Sequence, residues 1–345
     1  MKIAIITDPH FGCRKNSVYF MRQQSKFYKE KFFPYILKQD IKVVFLLGDF
    51  FDNRKTINFD TLRHSKECFM NPIIENGIEL HMLVGNHDSY FKDTGELTST
   101  KLLFKDIPNV HIYDELTEIE MGGRSIMMVP WIFPNQKKDV EERLKLGAAD
   151  IVCGHFEMIG VAFQGNVLSR KGIDPDTFSQ YDHVFSGHFH KPSEYYVGSP
   201  YEMTWSDYDD PKRIIIYDTV RNEKEDVFLA DRIFHKIEYP SMADIHLEQY
   251  KDKIVRVLVK EKNSPIEFDN FIQRLESHEP YEIDIKEEYL YIDIIEEDEL
   301  DDDTDTLSVL LTSVDGIDDL KKGDKIIVKE ILNQLYNKAK EHDSI

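Results

Sequence analysis

Cysteine is almost missing from this chain. Cys13, Cys68 and Cys153 are odd in number and far apart, which excludes a disulfide framework or a thiolate zinc site and makes a reducing, cytoplasmic setting the expectation. Long apolar runs are missing as well. No stretch reaches the roughly 20 residues that a membrane helix needs, and Met1-Lys2-Ile3-Ala4-Ile5-Ile6 runs into Asp8 too soon for a secretory signal, so it reads as a first strand. Positive charge is the third shortage: 43 Lys and Arg stand against 64 Asp and Glu, a net charge of −21. Such a chain repels nucleic acid unless positive charge is local or is supplied by a metal or a partner. Much of the acid lies between Glu282 and Asp305, so the total need not describe every face. There is no internal repeat, and the one biased tract, Glu296 to Asp305, reads as a solvated linker. What is left is a globular composition, 41% hydrophobic over 345 residues, enough for two or three domains.

The informative pattern is how the apolar runs end. Leu80 to Val84 stops abruptly in Gly85-Asn86-His87-Asp88, the look of a buried strand whose carboxyl end opens into a polar site. Alone, such a turn is usually only a turn. Here it recurs: Lys2 to Ile6 runs into Thr7-Asp8-Pro9-His10, Lys42 to Leu47 into Gly48-Asp49, Ile151 and Val152 toward Gly154-His155, and Val184 and Phe185 into Ser186-Gly187-His188-Phe189-His190. Packing alone does not place Asp, Asn or His at the end of strand after strand.

The first ninety residues read as strand, helix, strand, helix, strand. A helix is expected from Val18 to Lys38, capped by Asn16 or Ser17 and kinked at Pro34. A second spans Asp60 to Asn76, with Gly77 as its C-terminal cap. Ser89 to Ser99 reads as a surface loop carrying Tyr90 and Phe91. This alternation implies parallel strands with crossover helices, and ligands in such sheets bind outside the carboxyl ends of the strands. Further strands are expected at Val110 to Tyr113, Glu118 to Met121, Ser125 to Pro130, Asp150 to Gly154, Tyr181 to Gly187, Tyr195 to Val197, Arg213 to Thr219 and Asp226 to Ala230, forming a second, more antiparallel sheet, with a helix at Asp139 to Leu146. The character changes near Asp231. Lys253 to Val259, a helix from Ser264-Pro265 to Ser277, and Tyr281 to Lys286 suggest a small α+β domain. Leu307 to Val314 is short and amphipathic. Asp324 caps a last helix whose Val328, Ile331, Leu332, Leu335 and Ala339 form an apolar stripe suited to this chain or to a partner.

Asp8 and His10 are one residue apart, so on an extended strand they point the same way and can grip one ion together; His188 and His190 repeat that spacing. Asp49 is a candidate bridge, and Asn86 and His155 complete a second set. Asp, His and Asn donors without thiolate suit manganese, iron or zinc better than calcium. Two such ions clamp a phosphodiester and activate a water, with His87 as the proton donor. His64, His81, His111 and His183 read as surface or packing residues.

Asp8-x-His10, Gly48-Asp49, Gly85-Asn86-His87-Asp88, Gly154-His155 and Gly187-His188-x-His190, spread over residues 1–230, resemble the five motifs of calcineurin-like metallophosphoesterases. Within that superfamily, the size and Gly48-Asp49-Phe50-Phe51-Asp52 look like the SbcD/Mre-eleven class of DNA-repair nucleases. Gly154-His155-Phe156-Glu157, Gly198-Ser199-Pro200 and Asp209-Asp210-Pro211-Lys212 look like its phage branch, the recombination endonuclease subunits of T-even-type bacteriophages. The resemblance implies a four-layer α/β/β/α sandwich over residues 1–231, an α+β DNA-capping domain over 232–296, and an acidic linker with a helical ATPase-binding segment over 297–345. It implies one manganese ion (Mn2+) on Asp8, His10, Asp49 and His190, a second on Asp49, Asn86, His155 and His188, and His87 as the catalytic non-ligand. It also implies an SMC-like ATPase partner of the SbcC/Rad-fifty type, double-stranded DNA as substrate, and a homodimer through the helices after Asn16 and Asp60. Some cellular relatives carry a second active-site histidine where this chain has Asp52.

A protein phosphatase or a small-nucleotide phosphodiesterase is the competing enzyme reading. Asn53-Arg54 and Asp88 depart from the Ser/Thr phosphatase pattern, and a cyclic-nucleotide enzyme has no need of Lys253 to Ile345. A non-enzymatic scaffold is the third reading, and the full donor set argues against it.

Overall fold

A computed structural model describes residues 1–164, 167–242, 245–262, 264–287, 310–311, 314 and 321–342. The chain divides into two units, Met1–Met203 with Asp209–Asp231, and Thr204–Tyr208 with Arg232–Ile345.

The first unit holds two sheets. Strands β1 (Lys2–Ile6), β2 (Val43–Leu46), β3 (Glu79–Leu83) and β4 (Val110–Tyr113) run parallel in the order β1-β2-β3-β4. Ile3 to Ile6 and Val43 to Leu46 are buried without alternation, as strands covered on both faces must be. The second sheet contains β5 (Thr117–Met121), β6 (Arg124–Val129), β7 (Ile151–His155) and β10 (His183–Gly187) in the order β10-β7-β6-β5. A short hairpin, β8 (Ala162–Gln164) and β9 (Val167–Leu168), lies between β7 and β10 in the chain. The sheets face each other across one core in which Ile5, Phe45 and Leu83 of the first meet Met128, Cys153 and Phe185 of the second. On the far side of the second sheet, Val140 and Leu144 of helix Lys137–Lys145 pack with Met127, Val152 and Phe156. Helix, sheet, sheet, helix is the expected α/β layering.

The partition of strands differs from the sequence expectation. Three segments expected in the second sheet belong to the first: β4, parallel beside β3, and the late β11 (Ile214–Asp218) and β12 (Glu223–Val227), β11 lying antiparallel beside β1. The second sheet is correspondingly mostly parallel, with only β5 and β6 antiparallel. Tyr195 to Val197 contributes a single bridge, Ser186 to Tyr196, rather than a strand. Apolar patterning tells which face of a strand is buried but not which strand it pairs with. The Ser89–Ser99 loop leads directly into a short helix, Ser99–Phe104, that was not expected.

The second unit has its own core. Strands β13 (Phe234–Tyr239), β14 (Ile254–Val259) and β15 (Glu282–Glu287) form a parallel sheet. Helix Pro265–Glu276 crosses from β14 to β15; the Ser264 side chain accepts the Glu267 N–H at its start, and Phe268, Phe271 and Leu275 are buried. Arg256 on β14 is buried, 2.7 Å from Asp284 Oδ2 and 4.0 Å over the Trp205 ring, so the excursion Thr204–Tyr208 packs with this unit. The last helix spans Lys322–His342 with Asp324 in its first turn rather than at its cap. Ile326, Ile327, Ile331 and Leu335 on it are exposed. The acidic run Glu296 to Asp305 lies outside the described residues, as does most of Leu307 to Val314.

Two crossover helices cover the first sheet. Val18–Lys26 continues through a π-helical segment, Phe27–Phe32, into Phe33–Lys38, and Phe59–Ser65 continues through Lys66–Met70 into Asn71–Glu75. In both, a proline (Pro34, Pro72) opens the last segment. Proline lacks an N–H and crowds the carbonyl one turn back; the wider π turn just before it accommodates this, so the helix changes type at Pro34. Phe69 stands between these helices and the motif loops, its ring 5.2 Å from Tyr28, 5.7 Å from Phe50 and 6.3 Å from Phe11. Phe69→Ala removes a fully buried ring and is expected to cost about 3–5 kcal/mol of unfolding free energy, read from denaturant midpoints at unchanged slope. A loss below about 1 kcal/mol, within the range of a volume-conserving swap, would mean that the aromatic layer does not hold these loops.

Candidate metal centre

The polar segments that follow β1, β2 and β3, the last residue of β7 and the segment after β10 converge at the carboxyl ends of the two sheets. Their backbones leave the strands sharply: Asp8, His10, Asp49 and His188 all have φ between 44° and 88°. That left-handed region is uncommon for residues with a side chain, though Asp and His tolerate it better than most. Such strain gathers at functional sites, where the surroundings hold it in place. The neighbouring glycines leave room for close approach. A Cβ on Gly85 would lie 2.1 Å from Asp49 Oδ1, and one on Gly187 would lie 2.1 Å from Thr7 Oγ1, so neither position can carry a side chain.

Asp8, His10 and His190 form one donor group, and Asp49, His155 and His188 another, the ligand atoms of each lying within 4.8 Å of one another. In the first, His10 Nε2 is 3.1 Å from His190 Nε2 and 4.0 Å from Asp8 Oδ1. In the second, Asn86 Oδ1 is 2.9 Å from His155 Nε2 and 3.0 Å from His188 Nδ1. Asp49 Oδ2 joins the groups, 3.7 Å from His10 Nε2 and 3.3 Å from His155 Nε2. The other Asp49 oxygen, Oδ1, accepts the His87 N–H at 2.9 Å. Every residue expected at the site is therefore in one cluster. Asp8, His10, Asp49, Asn86 and His155 are buried.

The remaining bonds orient the donors. His155 Nδ1–H donates to the Leu47 carbonyl at 2.6 Å, which leaves Nε2 facing Asn86 and Asp49. His188 N–H donates to both Asp8 oxygens at 3.1 Å, and Thr7 Oγ–H donates to Asp8 Oδ2 at 2.7 Å. His87 Nδ1–H donates to the Asp52 carbonyl at 2.5 Å; a ring nitrogen of His87 lies within 4.8 Å of the donor atoms of His10 and Asp49, and its ring stands edge-on to His10 at 4.8 Å. Nitrogen and oxygen donors brought together, with no thiolate among them, fit divalent ions of the manganese, iron or zinc kind.

Several supporting residues escaped the sequence reading. Asp88 accepts backbone N–H groups from Gly85 at 2.9 Å and Phe50 at 3.0 Å, tying two motif loops together; burial, then the Asp49 charge, push its carboxyl up to about 7. Asp52 also places its carboxylate 3.3 Å from His10 Nδ1. Glu157 stands 3.5 Å from His188 Nε2; burial would raise its pKa, but the His188 contact holds it below the usual range. Trp131 packs 5.0 Å from the His188 ring. Gln24, Tyr201 and Lys212 bond the carbonyls of Pro9 and His190. A partner that meets the site only through the fold leaves no local pattern, and Asp88, Asp52 and Glu157 were visible only as neighbours of the motif residues. His64 contacts Cys68 at 3.7 Å and His183 the Asn222 carbonyl at 3.0 Å, both away from the cluster.

A family model described as calcineurin-like phosphoesterase matches residues 1–192. Over 98% of this chain and 99% of its own length, "Exonuclease subunit 1" of Enterobacteria phage T4 is 28% identical. Among solved structures, a phosphatase of Mycoplasma pneumoniae covers 67% of this chain and 94% of its own, at 12% identity and a TM-score of 0.37. GAP50 of Plasmodium, titled the anchor in the inner membrane complex, covers 67% and 90%, at 13% identity and a TM-score of 0.33. These scores are too low to bear on function.

Charge and geometry give two expectations. Burial would lower the His155 pKa, but Asp49 and Asp8 outweigh it and raise it to about 9, and burial of His10 is outweighed by Asp52 and Asp49 in the same sense. An ion taking His155 Nε2 must displace that proton. Metal affinity therefore rises between pH 7 and 9, by about tenfold per unit for each displaced proton, and levels off above. Calorimetry in buffers of different ionisation enthalpy reads the proton released, and a flat profile would contradict the assignment. Separately, Glu157→Gln is expected to weaken metal binding by about 10–100-fold through loss of the His188 orientation, measured by titration at fixed pH.

Proposed function

The chain belongs to the calcineurin-like phosphoesterase family, and from that premise we propose that it is a manganese-dependent DNA nuclease subunit, with exonuclease and endonuclease modes, that works with an SMC-like ATPase. The observation that carries the reaction type is Asp49 Oδ2, one oxygen poised between two donor groups. The full-length similarity to a phage exonuclease subunit supports DNA as the substrate.

In this reading Asp8, His10, Asp49 and His190 hold one ion, and Asp49, Asn86, His155 and His188 hold the second. When bound, the pair neutralises the phosphodiester charge and lowers the pKa of the attacking water. The chain's own residues do the rest. The His87 N–H occupies Asp49 Oδ1, so Oδ2 is the oxygen left to be shared. His188 N–H and Thr7 Oγ–H keep the Asp8 carboxylate turned toward His10. The Asp52 carbonyl fixes His87 with Nδ1 protonated, so the imidazolium carries its second proton on Nε2 and delivers it to the departing sugar oxygen.

Residues 232–296 are assigned to a DNA-capping domain. The helix Lys322–His342 is assigned to the ATPase partner's coiled coil, and its exposed Ile327, Ile331 and Leu335 at i, i+4 and i+8 support this. Val18 and Phe59, 75% and 90% exposed at the starts of the two crossover helices, support a homodimer through those helices. Attraction of DNA to a chain of net charge −21 then falls to the ions and the partner.

The test is end-labelled linear duplex DNA with Mn2+, with and without the ATPase, for wild type, His87→Ala and Asp49→Asn, with bound metal counted in each. His87→Ala is expected to keep both ions and lose about 10²–10⁴-fold in turnover; Asp49→Asn is expected to lose metal and activity together. Wild type that holds two ions and hydrolyses small phosphodiesters but leaves DNA intact would overturn the nuclease assignment.

A further inference from the structure

A second group of donors lies away from the strand ends, on the edge of the first sheet. Among the described residues β4 is the edge strand and pairs with β3 alone. The register sets His81 directly opposite His111, and Glu79, two residues before His81, shares its face. Leu83, two residues further along the same face, is part of the core between the sheets. Positions 79, 81 and 111 are where that face reaches the rim, and all three carry metal-ligand side chains in place of aliphatic ones.

We propose that Glu79, His81 and His111 bind one zinc ion, at a site separate from the centre at the strand ends. Glu79 Oε1 is 3.1 Å from His81 Nε2 and 3.3 Å from His111 Nε2, and the three donor atoms all lie within 4.8 Å of one another. Ligands of a tetrahedral zinc stand about 3.3–3.5 Å apart, given metal–ligand bonds of about 2.0–2.2 Å. The two rings are stacked at 4.8 Å with 26° between their planes, so both Nε2 atoms reach the carboxylate from the same side. His81 is anchored: its side chain is 5% exposed, between Phe45 and Tyr113, and its Nδ1 lies 2.7 Å from the Tyr113 hydroxyl. With Nδ1–H donated to that oxygen, Nε2 presents its lone pair to the ion, the usual arrangement of a ligating histidine. Glu79 and His111 are 44% and 45% exposed. They leave an entry path and room for water as the fourth ligand, and the exposed His111 ring is the one that adjusts on binding.

Two nitrogens and one oxygen without thiolate suit zinc and its neighbours better than calcium or magnesium. Bound there, the ion ties the edge strand to β3, the strand that leads into Asn86 and His87. A plain hydrogen-bonded cluster of the same residues links the two strands through Glu79 and His111 but holds no metal, and metal counting separates the two.

The full chain, stripped with chelator, would be titrated with Zn2+ and with Co2+ as a spectroscopic substitute, for wild type, His111→Ala and Tyr113→Phe. Wild type is expected to hold one zinc more than His111→Ala by elemental analysis, and to show a tetrahedral Co2+ absorption that His111→Ala lacks. Tyr113→Phe should retain the site with affinity reduced about 10–100-fold. Zn2+ should raise the melting temperature of wild type more than that of His111→Ala, while metal-dependent phosphodiester turnover is the same in both. Equal zinc stoichiometry in wild type and His111→Ala would overturn the proposal, as would a loss of turnover that tracks the loss of that zinc.

Discussion

Asp49 carries a negative charge where there is almost no water to stabilise it. The residue is 2% exposed, and taking a carboxylate that far from solvent costs several kcal/mol unless charge and hydrogen bonds replace the water. Burial would raise its pKa, yet His155, His87 and His10 around it hold the carboxyl well below the usual range. The replacements come from different places in the chain: His10 follows β1, His87 follows β3 and His155 ends β7. Compensation therefore exists only once both sheets have formed and packed. The first unit is built so that the parts needed to stabilise this one charge arrive together.

That requirement explains features that look unrelated along the chain. Gly85 and Gly187 have no side chain because Asp49 and Thr7 occupy the space a Cβ would take. Asp8, His10, Asp49 and His188 adopt left-handed backbone because each loop must turn back at once over its strand end. The aromatic layer of Phe11, Tyr28, Phe50 and Phe69 lies directly under two of those loops and resists their relaxation. Asp88, buried and bonded to the backbone of two motif loops, serves the same end by hydrogen bonding. A preorganised cluster of this sort does not have to reorganise when charge develops on a substrate. The sheet edge at Glu79, His81 and His111 is a looser arrangement, in which two of three donors face solvent.

The candidate centre was unusually legible because its chemistry is local. Aspartate or histidine at the end of an apolar run is a departure from packing that one segment displays by itself, and five such departures in one chain mark a site without any coordinates. Layering was legible for a similar reason: Ile3 to Ile6 and Val43 to Leu46 show burial on both faces, which fixes them as interior parallel strands. Misreadings came where the answer depends on a distant partner. Arg213 to Thr219 has the composition of a strand in either sheet, and only its pairing with β1 decides between them. Trp205 sits within the sequence of the first unit but packs on Phe234 and Arg256 of the second. His81 and His111, thirty residues apart in sequence, looked like packing residues until the register set them side by side.

The sequence by itself determined which residue types are available, their placement at strand ends and the layered α/β architecture, because periodicity and turn chemistry act over a few residues. Tertiary structure alone decided the rest. It set Asp49 Oδ2 between His10 and His155, the Leu47 and Asp52 carbonyls against His155 and His87, Glu157 against His188, and the sheet that received β4, β11 and β12. Those outcomes depend on distances of about 3 Å between residues scores of positions apart. Distances of that size are set by the simultaneous packing of both sheets, since hydrogen bonds and charge contacts weaken steeply over the next ångström.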